Sequence, residues 1–178
     1  SISNGISIIK NYLKSDDVIN TLKAFISMGV KIKENGDEII IYGKGLNSLK
    51  KPNKEIYLGN SGTSARLLTG LLASQNFETT LTGDSSLSSR PMDRISKPLE
   101  KMNAEILTNK GKMPINIKGK NLKNAKIEIL IPSAQIKSGL LLAALNTRGI
   151  SQIFEDNITR DHTEIMLDYF GADILIKK

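Results

Sequence analysis

Hydrophobic and polar positions follow the same order three times along this chain. Residues 89–106, Ser-Arg-Pro-Met-Asp-Arg-Ile-Ser-Lys-Pro-Leu-Glu-Lys-Met-Asn-Ala-Glu-Ile, resemble both residues 15–32 and residues 159–174. In each copy apolar residues recur at helical spacing: Leu22, Phe25 and Ile26; Ile95, Leu99 and Met102; Ile165, Met166, Tyr169 and Phe170. Ser15, Ser89 and Thr159 stand where N-caps belong, and Gly29, Asn103 and Gly171 where a left-handed C-terminal residue belongs. A strand is predicted directly after each helix. In the first two copies a turn signal, Asn35-Gly36 or residues 109–112, leads into a second strand over 38–42 or 114–117.

Copies two and three share a further element upstream. Residues 55–58 lead through Asn60-Ser-Gly-Thr63 into 65–73, and residues 126–131 lead through Pro132-Ser-Ala-Gln135 into 139–145. Both second segments are apolar nearly all round, which marks helices buried on every side. The predicted unit is strand, buried helix, strand, surface helix, strand pair, and the fold class is α+β. Its repeats span approximately 1–50, 51–122 and 123–178 of a single domain, 1–178. The first copy lacks its buried helix: only 14 positions separate Ser1 from Ser15, against 28 from Ser61 to Ser89. Ser1-Ile-Ser-Asn4 reads as the turn and Gly5 to Ile9 as the strand beyond it. The expectation is a fragment with roughly ten residues, about three helical turns, lost between Asn4 and Gly5.

A chain of 178 residues can bury one good core, and no apolar run approaches the roughly 18 residues that would span a bilayer. With no cysteine, disulfides, thiolate metal sites and a thiol nucleophile are excluded together. Residues 1–10 show no leader pattern, so the expected compartment is the cytoplasm. The formal charge of +7 favours an anionic partner. Much of it lies in Lys/Asn-rich stretches such as 118–126, and aromatics are too sparse, at 4% with no Trp, to build base-stacking platforms. A phosphorylated small molecule fits better than nucleic acid or a membrane.

The turns carry the chemistry. Gly59-Asn-Ser-Gly-Thr63 opens a buried helix, whose first N–H groups and dipole attract anions. Gly62 leaves the backbone open to a ligand, Thr63 and Ser64 add hydroxyls, and Arg66, one turn in, adds a planar cation. The plain alternative is a capped helix with a surface Arg. The second such turn brings Gln135, able to donate and accept toward a polyhydroxylated ligand, and Lys137 as further charge. Arg90, fixed by Pro91 at the predicted cap of the second surface helix, is either a clamp for carboxylate or phosphate or a solvated side chain. Arg94 reads as surface charge, the single His162 as a polar helix residue, and Asp16, Asp17, Asp161 and Glu164 as helix N-terminal acids. If the repeats are related by threefold symmetry, the buried helices aim their N-termini at one face.

Four ordered segments then resemble a known family: Leu58-Gly-Asn-Ser-Gly-Thr-Ser-Ala-Arg66, Gly83-Asp-Ser-Ser-Leu-Ser-Ser-Arg-Pro-Met92, Ser133-Ala-Gln-Ile-Lys-Ser138 and Thr159-Arg-Asp-His-Thr-Glu164 are similar to signature segments of 5-enolpyruvylshikimate-3-phosphate (EPSP) synthases. Ser1 to Asn4 resembles the family's Lys-Ser-x-Ser-x-Arg motif without its Lys and Arg. The resemblance implies two domains, each of three βαβαββ units with buried helices inside and sheets outside. It implies transfer of the enolpyruvyl group of phosphoenolpyruvate to the 5-hydroxyl of shikimate 3-phosphate, without metal or organic cofactor.

By that resemblance Ser1, Ser133, Ala134, Gln135 and Thr159 contact shikimate 3-phosphate. Gly62, Arg90 and Gln135 contact phosphoenolpyruvate or glyphosate, with Asn60, Thr63, Arg66 and Arg160 in support. The proton-handling residues belong to the second, catalytic domain, which lies outside this chain, so no turnover is expected of the chain alone. The expected protein is a monomer whose partners are its substrates and that second domain. The rivals are the enolpyruvyl transferase acting on UDP-N-acetylglucosamine, which usually carries a catalytic cysteine absent here, and an RNA-binding module on a related fold.

Overall fold

A computed structural model of the chain describes residues 1–177. Its elements run, in chain order, β1 (Asn4–Lys10), α1 (Asp16–Ser27), β2 (Lys31–Asn35), β3 (Glu38–Lys44), β4 (Ile56–Tyr57), α2 (Gly62–Ala73), β5 (Glu78–Thr82), α3 (Ser85–Ser89), α4 (Asp93–Glu100), β6 (Glu105–Asn109), β7 (Lys112–Lys118), β8 (Lys126–Ile129), α5 (Ala134–Ala144), β9 (Gln152–Glu155) and α6 (His162–Tyr169).

The repeats are visible in the sheets. β1, β3 and β2 form an antiparallel sheet in that order, and β5, β7 and β6 reproduce the order and the antiparallel sense in the second repeat. The parallel pair β4 and β5, which brackets α2, is matched by the parallel pair β8 and β9, which brackets α5. Both brackets are right for a strand, helix, strand crossover. No helix among the described residues is long and apolar enough to cross a membrane.

Sequence dictates the centre of the core. Leu68, Leu71 and Leu72 of α2, Ile136, Leu140 and Ala143 of α5, and Ile95 and Leu99 of α4 are all buried, together with Leu81, Ile115 and Ile117 of the second sheet. Each side chain of Leu or Ile size removed from water there contributes about 1.5–3 kcal/mol. Two glycines let α2 and α5 touch backbone to backbone. A Cβ on Gly70 would lie 1.9 Å from the Gly139 carbonyl oxygen, and one on Gly139 would lie 2.8 Å from the Arg66 carbonyl oxygen.

Several expectations are corrected. Ser89 and Thr159 do not cap the surface helices. Pro91 disfavours a helical residue before it, so Arg90 is extended (φ −75°, ψ 145°) and ends the short α3, which Asp84 caps; α4 starts afresh at Asp93. The Thr159 hydroxyl is held by Glu155, and α6 begins after Asp161. Ile165, Met166, Tyr169 and Phe170 are at least half exposed, because no sheet among the described residues lies beneath α6, and residues 172–177 find no strand to pair with and form none. Ile26 of α1 also faces out; Ala24 and Met28 carry the buried face.

Ser1 to Asn4 is no helix mouth. The Ser3 carbonyl accepts from the Gly45 N–H at 3.1 Å, which extends the β1–β3 ladder, and Asn4 already pairs with Lys44. Asn4 and Gly5 are consecutive residues of one strand.

The glycine contact sets a first expected outcome. Gly70→Ala forces the two helix backbones apart, since a carbonyl cannot yield as a flexible side chain can, and urea unfolding is expected to show a loss of about 1–3 kcal/mol. An unchanged midpoint would show that the helices are not in contact there.

Candidate functional site

Because residue 66 faces 135 and residue 70 faces 139, each pair four residues on from the last, α2 and α5 run parallel and open at the same end. Ser61 caps α2 and Ser133 caps α5, each accepting from the N–H three residues on, Ser64 or Ile136. The N–H groups of Gly62, Thr63, Ala134 and Gln135 precede the first intrahelical bonds and donate to no group among the described residues. Four free donors and two positive dipole ends thus lie side by side.

Side chains tie the two mouths together. Arg66 donates from Nη1 to Gln135 Oε1 at 2.7 Å and to the Gly62 carbonyl at 3.3 Å, and from Nη2 to the Pro91 carbonyl at 3.4 Å. Gln135 Nε2 in turn donates to Thr63 Oγ1 at 2.8 Å. Arg90 reaches back from the end of α3 to donate to Asn60 Oδ1. Above Gly62 the two guanidiniums meet: a Cβ there would sit 2.9 Å from Arg66 Nη1 and 2.9 Å from Arg90 Nη1.

The electrostatics of this corner are one-sided. Burial, and then the charges of Arg90 and Arg94, hold the Arg66 guanidinium below its usual value. All seven salt bridges among the described residues use lysines, so none of these arginines has a carboxylate partner. A cluster of cations beside two helix N-termini, with only neutral acceptors around it, is a place for an anion. The cluster opens to the surface: Asn60 and Thr63 are exposed, and Arg66, Arg90 and Gln135 are half-buried.

Of the expected site residues, the structure brings together Asn60, Gly62, Thr63, Arg66, Arg90 and Gln135. Ser133 and Ala134 share the mouth of α5 with Gln135. Thr159 sits to one side, its hydroxyl 2.6 Å from Glu155 Oε2 and its N–H 3.2 Å from Glu155 Oε1. No hydrogen bond joins Ser1 or the exposed Arg160 to the cluster, and His162 is exposed.

Lys137 adds no charge to the site. It is buried, 2.6 Å from Glu155 Oε1 and 2.6 Å from Glu164 Oε1, so Glu164, an acid of the first turn of α6, is also a buried ion-pair partner. Arg94 is the contributor that sequence reasoning set aside. It lies in the first turn of α4, exposed, and its charge acts on Arg66.

The buried lysine shifts its surroundings. Burial pushes the Glu155 carboxyl up, but bonds from Lys137 and Thr159 outweigh it and hold Glu155 below its ordinary value. For Lys137, burial lowers the ammonium, and bonds to Glu155 and Glu164 outweigh that and leave it raised.

The chain was compared with known proteins. The family model for EPSP synthase (3-phosphoshikimate 1-carboxyvinyltransferase) matches residues 1–178. A 3-phosphoshikimate 1-carboxyvinyltransferase of Ruthia magnifica subsp. Calyptogena magnifica is 51% identical, over 100% of this chain and 41% of the relative. One from Lactococcus lactis subsp. cremoris (strain SK11) is 47% identical, over 99% of this chain and 42% of its own length. The solved EPSP synthase of Acinetobacter baumannii superposes with a TM-score of 0.96 at 45% identity, over 99% of this chain and 41% of that one. The chain therefore spans about two-fifths of the length of the relatives it matches. The first repeat passes from Ser3 directly into β1, so it lacks the buried helix that α2 and α5 supply to the other two, as expected.

Two outcomes are expected. In Gly62→Ala the new methyl meets only the flexible ends of Arg66 and Arg90, so stability should move by less than about 1 kcal/mol. Displacing the guanidiniums should weaken binding of inorganic phosphate, followed by calorimetric titration, about tenfold; unaltered affinity would move the anion elsewhere. The second concerns acid. A carboxyl held below its ordinary value of 4.5 contributes stability that is complete above 4.5 and lost as pH falls through the lowered value. Glu155→Gln has no such contribution, so unfolding curves of the two proteins should converge on acidification below 4.5. Glu105, also lowered by Lys120 and Lys118, is common to both and cancels.

Proposed function

Because the chain belongs to the EPSP synthase family, we propose that it is the substrate-binding half of a 3-phosphoshikimate 1-carboxyvinyltransferase. The observation that carries this reading is the meeting of Arg66 and Arg90 above Gly62 with no carboxylate to neutralise them. Phosphoenolpyruvate carries both a carboxylate and a phosphate, and planar guanidiniums with free helix N–H groups suit both. Gln135, spanning the two helix mouths, has the donor and acceptor needed to bridge that anion to a polyhydroxylated partner. Ser133, Ala134 and Thr159, around the mouth of α5, would take shikimate 3-phosphate. Ser1 loses its geometric support, since it leads into a strand.

In the proposed reaction the 5-hydroxyl of shikimate 3-phosphate gives up its proton to a base as its oxygen bonds to C2 of phosphoenolpyruvate, while C3 gains a proton from an acid. The tetrahedral adduct then loses that proton and phosphate, and the enolpyruvyl ether remains. Both steps move negative charge past the phosphate and carboxylate, and the role given to Arg66 and Arg90 is to hold these groups in place. Proton transfers need an acid and a base within hydrogen-bond reach. None is available at the cluster, where the neighbours are arginines, amides and hydroxyls. The open surface fits a site completed by a second body, which the additional length of the relatives would supply. On the same reading the chain is one domain of a monomeric cytoplasmic enzyme that needs no metal or organic cofactor.

Alone, the chain is expected to bind shikimate 3-phosphate and to release no phosphate from it and phosphoenolpyruvate. Expressed together with the remaining part of a relative, it should do so steadily. Turnover by the chain alone would overturn the division of labour, and salt-sensitive RNA binding in place of substrate binding would overturn the reading itself.

A further inference from the structure

The third repeat contains a charged network that the arginine cluster does not use. Counting from the capping serines, Lys137 occupies in α5 the position that Ala65 occupies in α2, and Ala65 is fully buried. That place in the fold needs only a methyl group. A lysine there brings a cation into the first turn of a helix, where the dipole opposes it, and requires two carboxylates to accompany it underground. Buried ion pairs of this kind seldom add net stability over apolar packing; what they fix is geometry.

The geometry fixed is that of Thr159. Both oxygens of Glu155 face it, one accepting its N–H at 3.2 Å and the other its hydroxyl at 2.6 Å. Lys137 Nζ binds the first of those oxygens at 2.6 Å and reaches the Thr159 carbonyl at 3.5 Å. Glu164, on α6, holds Lys137 from the other side at 2.6 Å. Residues 156–158 between the ends of this loop are exposed, Ile158 at 83%, so no apolar anchor keeps the loop in place.

We propose that Lys137, Glu155 and Glu164 form a positioning lock that holds Thr159 against the mouth of α5 and so sets the affinity for a sugar-phosphate-like ligand there. This rests on the proposed binding of shikimate 3-phosphate near Ser133 and Gln135. The residues act through Thr159 and touch no reacting atom.

Glu155→Gln tests it on the full chain. The amide keeps the shape, retains one acceptor, and turns an N–H₂ toward donors that need oxygen. Two readouts are taken together. Hydrogen exchange at the Thr159 amide, which needs no ligand, should quicken about tenfold or more, with α2 amides unchanged. Affinity for shikimate 3-phosphate should fall about tenfold, while affinity for inorganic phosphate at the arginine cluster stays. Thr159→Val, which keeps the backbone bond and removes the hydroxyl, should lose part of the same affinity. Unchanged exchange would overturn the lock; faster exchange with unchanged affinity would overturn its positioning role. If the unaltered chain binds no shikimate 3-phosphate, the functional reading fails and the positioning role with it, and the exchange signal separates that result from a failed lock.

Discussion

The backbone contact between Gly70 and Gly139 is the constraint on which the rest depends. Two helices that meet without side chains between them are locked in translation as well as in distance. Here the lock is parallel and in step, so the capped ends of α2 and α5 finish level with each other. A shift of one turn, about 5.4 Å, would take Gln135 out of reach of Arg66 and Thr63 and separate four free N–H groups into two ordinary helix ends. The leucines around the contact stabilise the fold, but it is the missing side chains that place the site.

Charge is arranged to be left over. Every salt bridge among the described residues uses a lysine, and Lys137 is buried between two acids, yet Arg66 and Arg90 are surrounded by amides, carbonyls and other cations. The charges of Arg90 and Arg94 act against that of Arg66, a repulsion that the proposed anion would relieve. Gly62 belongs to the same logic: any side chain there would occupy the space in which the two guanidiniums converge. Affinity and a modest local instability are then two consequences of one arrangement, as is common where binding groups are held in place before the ligand comes.

The repeats, the strands on either side of two buried helices, the cap at Ser15 and the left-handed Gly29, Asn103 and Gly171 were legible because each rests on local pattern: helical spacing, an N-cap hydroxyl, glycine or asparagine after a helix. The repeat made the turns of Gly62 and Gln135 candidates for one surface, and the grouping of Arg90 with them came only from the family resemblance. What local pattern could not show was where tertiary neighbours compete. Thr159 looks like a cap until Glu155 takes its hydroxyl. Lys137 looks like further charge for the ligand because its partners are 18 and 27 residues away. Ile165 and Tyr169 have helical spacing without a layer to bury them. At Ser1 to Asn4 the expected turn is instead the start of a strand edge that continues to Lys10, fixed by pairing with β3 across the sheet.

The central claim is that Arg66 and Arg90 jointly hold an anion at the level ends of α2 and α5. Nitrogen NMR of the arginine Nε–H groups during titration with inorganic phosphate reads this at the atoms concerned, with Arg148 and Arg160 as internal references. The account predicts that the Arg66 and Arg90 signals shift together along one binding curve while the references stay still. Equal, linear drift of all the arginine signals would mean that the cluster binds nothing in particular, and the account would be wrong.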